Sequence, residues 1–462
     1  MSTEDGNPGR FSDAINKTFP SIWINRENTA TKYEKIDFND VEFYDEKILA
    51  NVEKHLSEKI EDSEHRKSEM TYKERAFLHG IIRKTKPMTV VELGVSAGGS
   101  ACVILNAMRD IDGAKLYSFD YSSVWYRDAG KADGRKTGFL VDQIVPELKH
   151  KWELYTGGVP CKYLDEHLPD GGIDVCLLDT AHSNPGEHLN ILEILPFMKQ
   201  NGIVIYHDTA YHCTDMRRAH CTTCCVSINS LNGKRIHLGS EKMAGLPNIG
   251  AIILDKNFEN MLIALFSNLS LPWAYRITDY DFIEMFAHFS KYYSRDLLQI
   301  YLYYYVFYTN GGLNNVENAM AIAEKQTVWS LPKLNERSAN SRKELAMAIL
   351  GHMYRLNENT ERAIELLKRA LDGNVLWARY DLFDVLWKRN NPGDASYMLQ
   401  LVEPFALEED VLSMARLGRM YMEGRGVKKN TEKAVELLKK AVEGNVSWAK
   451  TFLDEIRDGK GQ

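Results

Sequence analysis

Short apolar runs alternate with helical patterns through the middle of the chain, from about residue 69 to residue 255. Five of these runs predict strands, because each is apolar and bounded by turn formers: Thr89–Leu93, Lys115–Asp120, Trp152–Thr156, Ile173–Asp179 and Gly202–Asp208. Such alternation is typical of an α/β fold, a mainly parallel sheet with helices on both faces. Two further runs, Lys234–Leu238 and Ile249–Leu254, predict a final strand pair and bring the expected sheet to seven strands.

From about residue 256 onward the pattern is helical, and a repeat recurs within it. Three consecutive segments have a second copy further on: Leu350–Tyr354, Thr360–Ala370 and Gly373–Ala378 correspond to Leu417–Tyr421, Thr431–Ala441 and Gly444–Ala449. A degenerate copy fits between them, from Asp381 to Glu408. Helical hairpins of this kind stack on their neighbours and need about three units for stability. The sequence therefore predicts an all-α solenoid of minimal length.

These patterns divide the 462 residues, which are too many for one ordinary domain. Residues 1–68 form a polar N-terminal lead and a helical extension, and residues 69–255 form the sheet domain. Residues 256–340 are expected to be a helical connector, and residues 341–462 the helical repeats.

Polar and small residues gather where the predicted strands end. These ends carry Glu92, Asp120, the pair Gly157-Gly158, Asp179, and the pair His207-Asp208. In open α/β sheets the ligand crevice lies beyond the carboxyl ends of the strands. After Glu92 the chain turns through Gly94, Ser96 and Gly98 into a helix pattern, a turn that leaves backbone N–H groups free to hold a polar ligand. We expect the functional site at this edge of the sheet.

Composition excludes some functions. The net charge is −7 and no basic block is present, which argues against a general nucleic-acid binder. No apolar run approaches the roughly 18 to 20 residues that span a bilayer. Residues 1–26 are polar and lack the apolar core of a secretory signal, so we expect a cytoplasmic protein.

The glycine-rich turn leaves two ligand classes open. Asp120 ends the strand after the turn, where a carboxylate can accept both hydroxyls of a ribose, and this spacing suits NAD or S-adenosylmethionine. Glu92 favours the second, because a carboxylate is favourable beside an ammonium and a sulfonium but unfavourable beside a pyrophosphate. The stretch Glu92–Ser100 resembles motif I of class I S-adenosylmethionine-dependent methyltransferases, which have a Rossmann-like seven-stranded sheet.

The segments Asp174–His182 and Gly202–Thr209 extend the resemblance to the catechol O-methyltransferases, and more closely to the bacterial branch that methylates sugars and antibiotics. The resemblance implies roles for residues of the donor site. Gly94, Ser96 and Gly98 would support the donor, Glu92 would face its amino-acid portion, and Asp120 would bind its ribose. Gly157 and Gly158 would flank the adenine. From the segment before the first strand, Met70 and Tyr72 would line the donor.

Relatives of this kind hold a divalent cation between acids after the fourth and fifth strands, here Asp179 and Asp208. Two adjacent carboxylates repel unless they are protonated or bridged by a cation, and oxygen ligands suit Mg²⁺. Alternatively, either acid caps the following helix. The third family ligand is often Asn or Asp, where this chain has Thr209.

A base is needed to deprotonate the acceptor. His182 lies three residues after Asp179, where catechol-type relatives carry a lysine base, and imidazole titrates near neutral pH. His207 is the second candidate. The segment His212–Cys225 contains Cys221-x-x-Cys224, which is half of a zinc site, a redox pair or part of a loop over the pocket.

The repeats resemble Sel1-like repeats of the tetratricopeptide class, most closely over Gly418–Ala449. That resemblance implies contact with a protein partner or self-association. The whole chain is thus interpreted as an O-methyltransferase that modifies a hydroxyl of a sugar in a bacterial glycan, capsule or natural product, as in polysaccharide biosynthesis. Two alternatives stay open: a helical-repeat adaptor with a vestigial S-adenosylmethionine-binding domain, and an NAD-dependent oxidoreductase.

Overall fold

The structure, a computed structural model, describes residues 46–59, 70–213, 218, 220–239, 247–255, 259–330 and 342–458. The predicted polar lead therefore lies largely outside the described residues, as does the predicted boundary between connector and repeats at residues 340 and 341. Within the described part of the chain, no helix combines the length and the apolar character needed to cross a bilayer.

Seven strands form one sheet in the order β3-β2-β1-β4-β5-β7-β6. The strands are β1 (Thr89–Leu93), β2 (Lys115–Asp120), β3 (Trp152–Thr156), β4 (Ile173–Leu178), β5 (Met198–His207), β6 (Gly233–Gly239) and β7 (Pro247–Leu254). The first five are parallel, and β7 is antiparallel between β5 and β6. The predicted sheet with its final strand pair is confirmed. Asp179 and Asp208 are the first residues beyond β4 and β5.

Helices cover both faces of the sheet. The helices before the connector are α1 (Glu46–Lys59), which belongs to the helical extension, and α2 (Tyr72–Thr85), α3 (Gly99–Ala107), α4 (Phe139–Ile144), α5 (Cys161–His167), α6 (Gly186–Ile194) and α7 (Thr223–Ser230) of the sheet domain. Alternate residues of β1 face opposite cores, as the period of two requires. Val90 packs with residues of α1 to α4, whereas Val91 and Leu93 pack with residues of α5 to α7. The central strands β1 and β4 are buried on both faces, which explains their continuous apolar character, whereas the residues of the edge strand β3 are half-buried.

The second of these cores continues without a break into the helices that follow. The connector contains α8 (Glu259–Ser267), α9 (Asp279–Tyr292), α10 (Arg295–Thr309) and α11 (Val316–Ser330). The repeats contain α12 (Arg342–Leu356), α13 (Thr360–Asp372), α14 (Ala378–Arg389), α15 (Ala395–Leu407), α16 (Val411–Glu423), α17 (Thr431–Glu443) and α18 (Ala449–Arg457). Small residues let paired repeat helices approach closely: a Cβ added at Gly351 would lie 2.6 Å from Leu367 Cγ.

Helix α9 joins the repeats to the sheet domain. Its Asp279 accepts hydrogen bonds from the Tyr354 hydroxyl at 2.7 Å and from the Arg362 guanidinium at 3.0 Å. Its Glu284 pairs with Lys343 at 2.7 Å. The first two repeat helices are thus attached to α9 by polar contacts as well as by the shared core.

Candidate active site

A cavity of about 730 Å³ opens at the carboxyl ends of the parallel strands. One side is lined by the glycine-rich turn after β1, and another by residues 179–182 after β4. Tyr275–Thr278, just before α9, and Asp281 and Met285 of α9 form a further wall. The site that the strand ends predict is therefore a real concavity, and part of its wall comes from the connector.

The glycine-rich turn can be made only with glycine at two positions. Gly94 and Gly98 have φ values of +88° and +98°, a left-handed region that strains other residues. A Cβ at Gly94 would also lie 1.9 Å from the Asp179 carbonyl oxygen. The turn therefore passes directly against the residue that ends β4, and it brings the β1 and β4 ends of the cavity together.

Asp120 holds the turn from the neighbouring strand. Its Oδ2 accepts hydrogen bonds from the backbone N–H groups of Val95 at 2.9 Å and Ser96 at 3.0 Å. Its Oδ1 accepts the N–H of Ser122 at 2.9 Å. Asp120 also lines the cavity, so the carboxylate that organises the turn is open to a ligand.

Glu92 lies behind the turn and is fully buried. Its two oxygens accept hydrogen bonds from the hydroxyl groups of Ser100, at the start of α3, and Ser118 on β2, the latter at 2.6 Å. Burial raises the pKa of Glu92 from 4.5 to about 7, although the two hydroxyl groups oppose this shift. Glu92 therefore supports the turn from below, and Ser100 rather than Glu92 lines the cavity.

Asp179, His182 and Asp208 form the polar end of the site. His182 Nε2 lies 3.4 Å from Asp208 Oδ2 and 3.7 Å from Asp179 Oδ1. One ligand atom from each of the three residues lies within 4.8 Å of the others, so the group can hold a metal ion. His182 and Asp208 both have a φ of +56°. Non-glycine residues in this region cost free energy and persist only where their surroundings impose the conformation, which is common at functional sites.

His207 is enclosed by carboxylates behind that group. It is 1% exposed, and its Nδ1 lies 3.1 Å from Asp179 Oδ1 and its Nε2 3.5 Å from Glu74 Oε2. Burial lowers the pKa of His207, but the charges of Asp179 and Asp208 outweigh it and hold the pKa well above 6.5. Burial raises the pKa of Glu74, but the hydrogen bond and the charge of His207 outweigh burial and lower the pKa of Glu74 to about 2. His207 is therefore a buried cation that orients Asp179.

Glu187, on α6, holds the other side of His182. This fully buried carboxylate accepts hydrogen bonds from the backbone N–H of His182 and from the Thr180 hydroxyl, the latter at 3.1 Å. Its Oε1 also lies 3.6 Å from His182 Nδ1. The contact with the His182 N–H accounts for the left-handed backbone there, and the imidazole is held with Nε2 toward Asp179 and Asp208.

Residues 91–209 match the model of a family described as a methyltransferase domain, and residues 345–375 and 411–446 match Sel1 repeats.

The chain contains a methyltransferase domain and Sel1 repeats.

This match confirms the predicted enzyme class and the predicted repeats. No curated protein matches the chain.

Several solved structures are similar to the part of the chain that contains the methyltransferase domain. An O-methyltransferase from Streptomyces achromogenes, in complex with SAM, is 11% identical, covers 46% of this chain and 91% of its own, and has a TM-score of 0.34. An O-methyltransferase from Bacillus cereus, in complex with SAH, is 14% identical, with coverages of 46% and 94% and a TM-score of 0.33. An SAH-bound methyltransferase from Podospora anserina is 13% identical, with coverages of 55% and 98% and a TM-score of 0.33.

The structure brings six of the fourteen predicted site residues to the wall of the cavity, whereas His207 and Asp208 lie beside Asp179 without lining the cavity. Those on its wall are Met70, Gly94, Ser96, Asp120, Asp179 and His182. After β3 the wall is made by Val159 and Pro160, the two residues that follow Gly157 and Gly158. Gly98 lies beneath the turn, against Gly138. Tyr72 packs against the apolar core of α1 to α4 instead.

Thr209 and the cysteine pair also lie away from the cavity. Thr209 is buried, and its N–H donates to the Asn248 carbonyl at 3.1 Å. The thiol of Cys224 lies 3.8 Å from His182 Nδ1, whereas that of Cys221 lies 3.7 Å from the Ser183 hydroxyl. Among the described residues, Cys224 but not Cys221 belongs to a group that can share a metal ion, with His182 and Glu187. Residues 214–217 and 219 of the predicted Cys/His segment are outside the described residues.

The buried carboxyl of Glu92 gives a prediction about the pH dependence of stability. Because the pKa is about 7 in the folded protein and 4.5 when unfolded, wild-type stability falls as the pH rises through this interval. Glu92→Gln stays uncharged, so we expect it to match wild type at pH 4 and to exceed its free energy of unfolding at pH 8 by up to about 3 kcal/mol.

Urea denaturation at both pH values measures this difference. The control is Glu166→Gln, which replaces an exposed glutamate and should change stability equally at both pH values. An equal effect of Glu92→Gln at pH 4 and pH 8 would contradict the burial of a carboxyl behind the turn.

Proposed function

We propose that the chain is an O-methyltransferase that moves a methyl group from S-adenosylmethionine to a hydroxyl oxygen of a small-molecule or glycan acceptor. The observation that carries the proposal is the cavity of the methyltransferase domain. It has a glycine-rich turn and a ribose-type carboxylate at one end and Asp179 with His182 at the other, where Asp208 lies 3.4 Å behind the histidine. Methyl transfer requires the methyl group of the donor and the oxygen of the acceptor to lie next to each other, and each end of the cavity can hold one of the two molecules.

In this proposal the donor lies along the turn. Asp120 faces the ribose, and the turn from Gly94 to Gly99 faces the amino-acid portion, with Met70 covering it. The acidic surroundings attract the positive sulfonium of the donor more strongly than the uncharged sulfur of the product. The product is therefore bound less tightly, and its release is easier.

The acceptor hydroxyl would lie beside His182. As its oxygen attacks the methyl carbon, the carbon–sulfur bond breaks, the electron pair goes to sulfur, and the proton goes to His182 Nε2. The resulting imidazolium would be stabilised by Asp179 and Asp208, at 3.7 and 3.4 Å, and its ring would be kept in place by Glu187.

The same two acids fit a divalent cation. Asn248 donates a hydrogen bond to Asp208 Oδ1 at 3.1 Å, which leaves Asp208 Oδ2 toward Asp179 and His182. The three carboxylates around His207 also outnumber its single positive charge, so a net negative charge is left for a cation. Asp179 and Asp208 would hold Mg²⁺, whose charge would lower the pKa of a coordinated hydroxyl.

A sugar suits the remaining space. Six aromatic side chains line the cavity, namely Phe119, Tyr121, Trp125, Tyr126, Tyr211 and Tyr275, and aromatic faces can pack against the C–H faces of a sugar ring. Tyr126 and Tyr275 are about half exposed, with 52% and 42% of their surface accessible, so rings are available at the mouth. The Sel1 repeats, in turn, would bind a protein partner or a second copy of the chain.

Donor binding tests the proposal directly. We expect S-adenosylhomocysteine to bind the full chain in isothermal titration calorimetry, and NADH to give no heat. Asp120→Ala should weaken binding of S-adenosylhomocysteine by at least about tenfold, since a charged hydrogen-bond partner is lost. The control Asp142→Ala replaces an exposed acid that pairs with Lys149. Binding of NADH but not of S-adenosylhomocysteine would replace the proposal with an oxidoreductase.

Removal of one acid tests the cation. We expect Mg²⁺ or Mn²⁺ to bind the full chain measurably by calorimetry, and Asp208→Asn to weaken that binding by more than about tenfold, because the ligand loses its charge. Asp142→Asn again serves as the control. A wild-type protein that binds neither cation would leave catalysis to the protein side chains alone.

His182 is tested by chemical rescue. We expect His182→Ala to lower kcat by roughly 10²- to 10⁴-fold, with the donor KM nearly unchanged, and added imidazole to restore part of the rate. Glu187→Gln should lower kcat less and should not be rescued, because it leaves the base in place but poorly held. His150→Ala, at a surface histidine, is the control. Full activity of His182→Ala would exclude it as the base.

A further inference from the structure

The cavity wall includes residues of α9, which lies outside the 91–209 methyltransferase match. Thr278 caps this helix, and Asp281 and Met285 in its first two turns face the cavity together with Tyr275–Ile277. The methyltransferase domain by itself therefore leaves its own site open on one side.

Asp281 has an unused acceptor. Its side chain accepts hydrogen bonds through Oδ2 from the Thr278 hydroxyl at 2.7 Å and from the Tyr121 hydroxyl at 3.2 Å. Its other oxygen, Oδ1, is buried and has no hydrogen-bond partner within the part of the chain that the structure describes. Buried polar atoms are nearly always satisfied, and an unsatisfied carboxylate oxygen is costly. Its position on a cavity wall indicates that a ligand supplies the missing donor.

The surroundings of Asp281 indicate which part of a ligand lies there. Tyr121 directly follows Asp120, the carboxylate proposed for the ribose. Val159 and Pro160 line the same cavity, and a proline has no N–H to offer. The loop after β3 lies against α9, since a Cβ at Gly158 would be 3.8 Å from Tyr280 Cε1. This part of the wall thus includes the apolar and aromatic side chains of Tyr121, Val159, Pro160 and Met285 beside the carboxylate of Asp281.

We infer that Asp281 accepts a hydrogen bond from the exocyclic amino group of the donor's adenine. A flat base fits between apolar walls, and the amino group is the donor that a carboxylate can recognise. The inference rests on the proposed function, because it assumes an adenosine ligand. Asp281, a residue of the connector, would thus determine which nucleobase the site accepts.

The same helix is held by the repeats. Asp279, two residues before Asp281, binds Tyr354 and Arg362, and Glu284 binds Lys343. The repeat region thereby keeps Asp281 in place, in addition to any partner that it binds. Asp279 also provides a matched control, because it is an aspartate on the same turn whose side chain contacts the repeats.

The test compares two ligands on the full chain by calorimetry: S-adenosylhomocysteine and S-inosylhomocysteine, in which a carbonyl oxygen replaces the amino group. Wild type should prefer S-adenosylhomocysteine by roughly 10- to 100-fold, because the carbonyl and the carboxylate are both acceptors. Asp281→Asn should lose most of that preference, since its amide can donate to the carbonyl. Asp279→Asn should retain it.

Each outcome is decisive. A folded wild-type protein that binds neither ligand overturns the proposed function and this inference with it. Wild type that binds both ligands equally well overturns the inference alone, and this comparison needs no variant to fold. An unchanged preference in Asp281→Asn, with normal thermal unfolding, also overturns it.

Discussion

The active site depends on one buried cation. The imidazolium of His207 lies between Asp179, Asp208 and Glu74, which come from the ends of β4 and β5 and from the first turn of α2. Several carboxylates at adjacent strand ends would repel one another without it. Asn248, on β7, connects two of them by donating to Glu74 at 2.9 Å and to Asp208 at 3.1 Å. Four elements are therefore joined by ion pairs and hydrogen bonds behind Asp179, which lines the cavity.

This network separates two tasks that acids perform in the site. Glu74 lies behind and balances the charge of His207, whereas Asp179 lines the cavity and Asp208 lies next to His182, which also lines it. Glu187 fixes the orientation of His182 in the same way as His207 fixes the orientation of Asp179. Both of the oriented side chains line the cavity. In the proposed function, a fixed arrangement of this kind would place the reacting groups before the substrates arrive and so reduce the entropy that must be lost in the transition state.

The strand pattern predicted the seven-stranded sheet and the position of the site well, because both depend on local apolar runs and on the acids that end them. It also led us to expect the glycine-rich turn and Asp179 at the same edge of the sheet, and both line the cavity. It did not reveal Glu74, Glu187, Asn248 or Asp281, which lie in helices or strands whose local pattern gives them no distinction. Only tertiary packing brings them to the site; Glu74 and Asn248, for example, are 174 residues apart. His207 was predicted as a second candidate base. The sequence did not reveal its burial, because the residues that enclose it are distant along the chain.

A crystal structure of the full chain grown with S-adenosylhomocysteine tests the account most directly. The account predicts the ribose against Asp120, the sulfur facing Asp179 and His182, and the adenine amino group within hydrogen-bond distance of Asp281. A nucleoside bound elsewhere, or one that leaves Asp120 and His182 without contacts in this cavity, would contradict it.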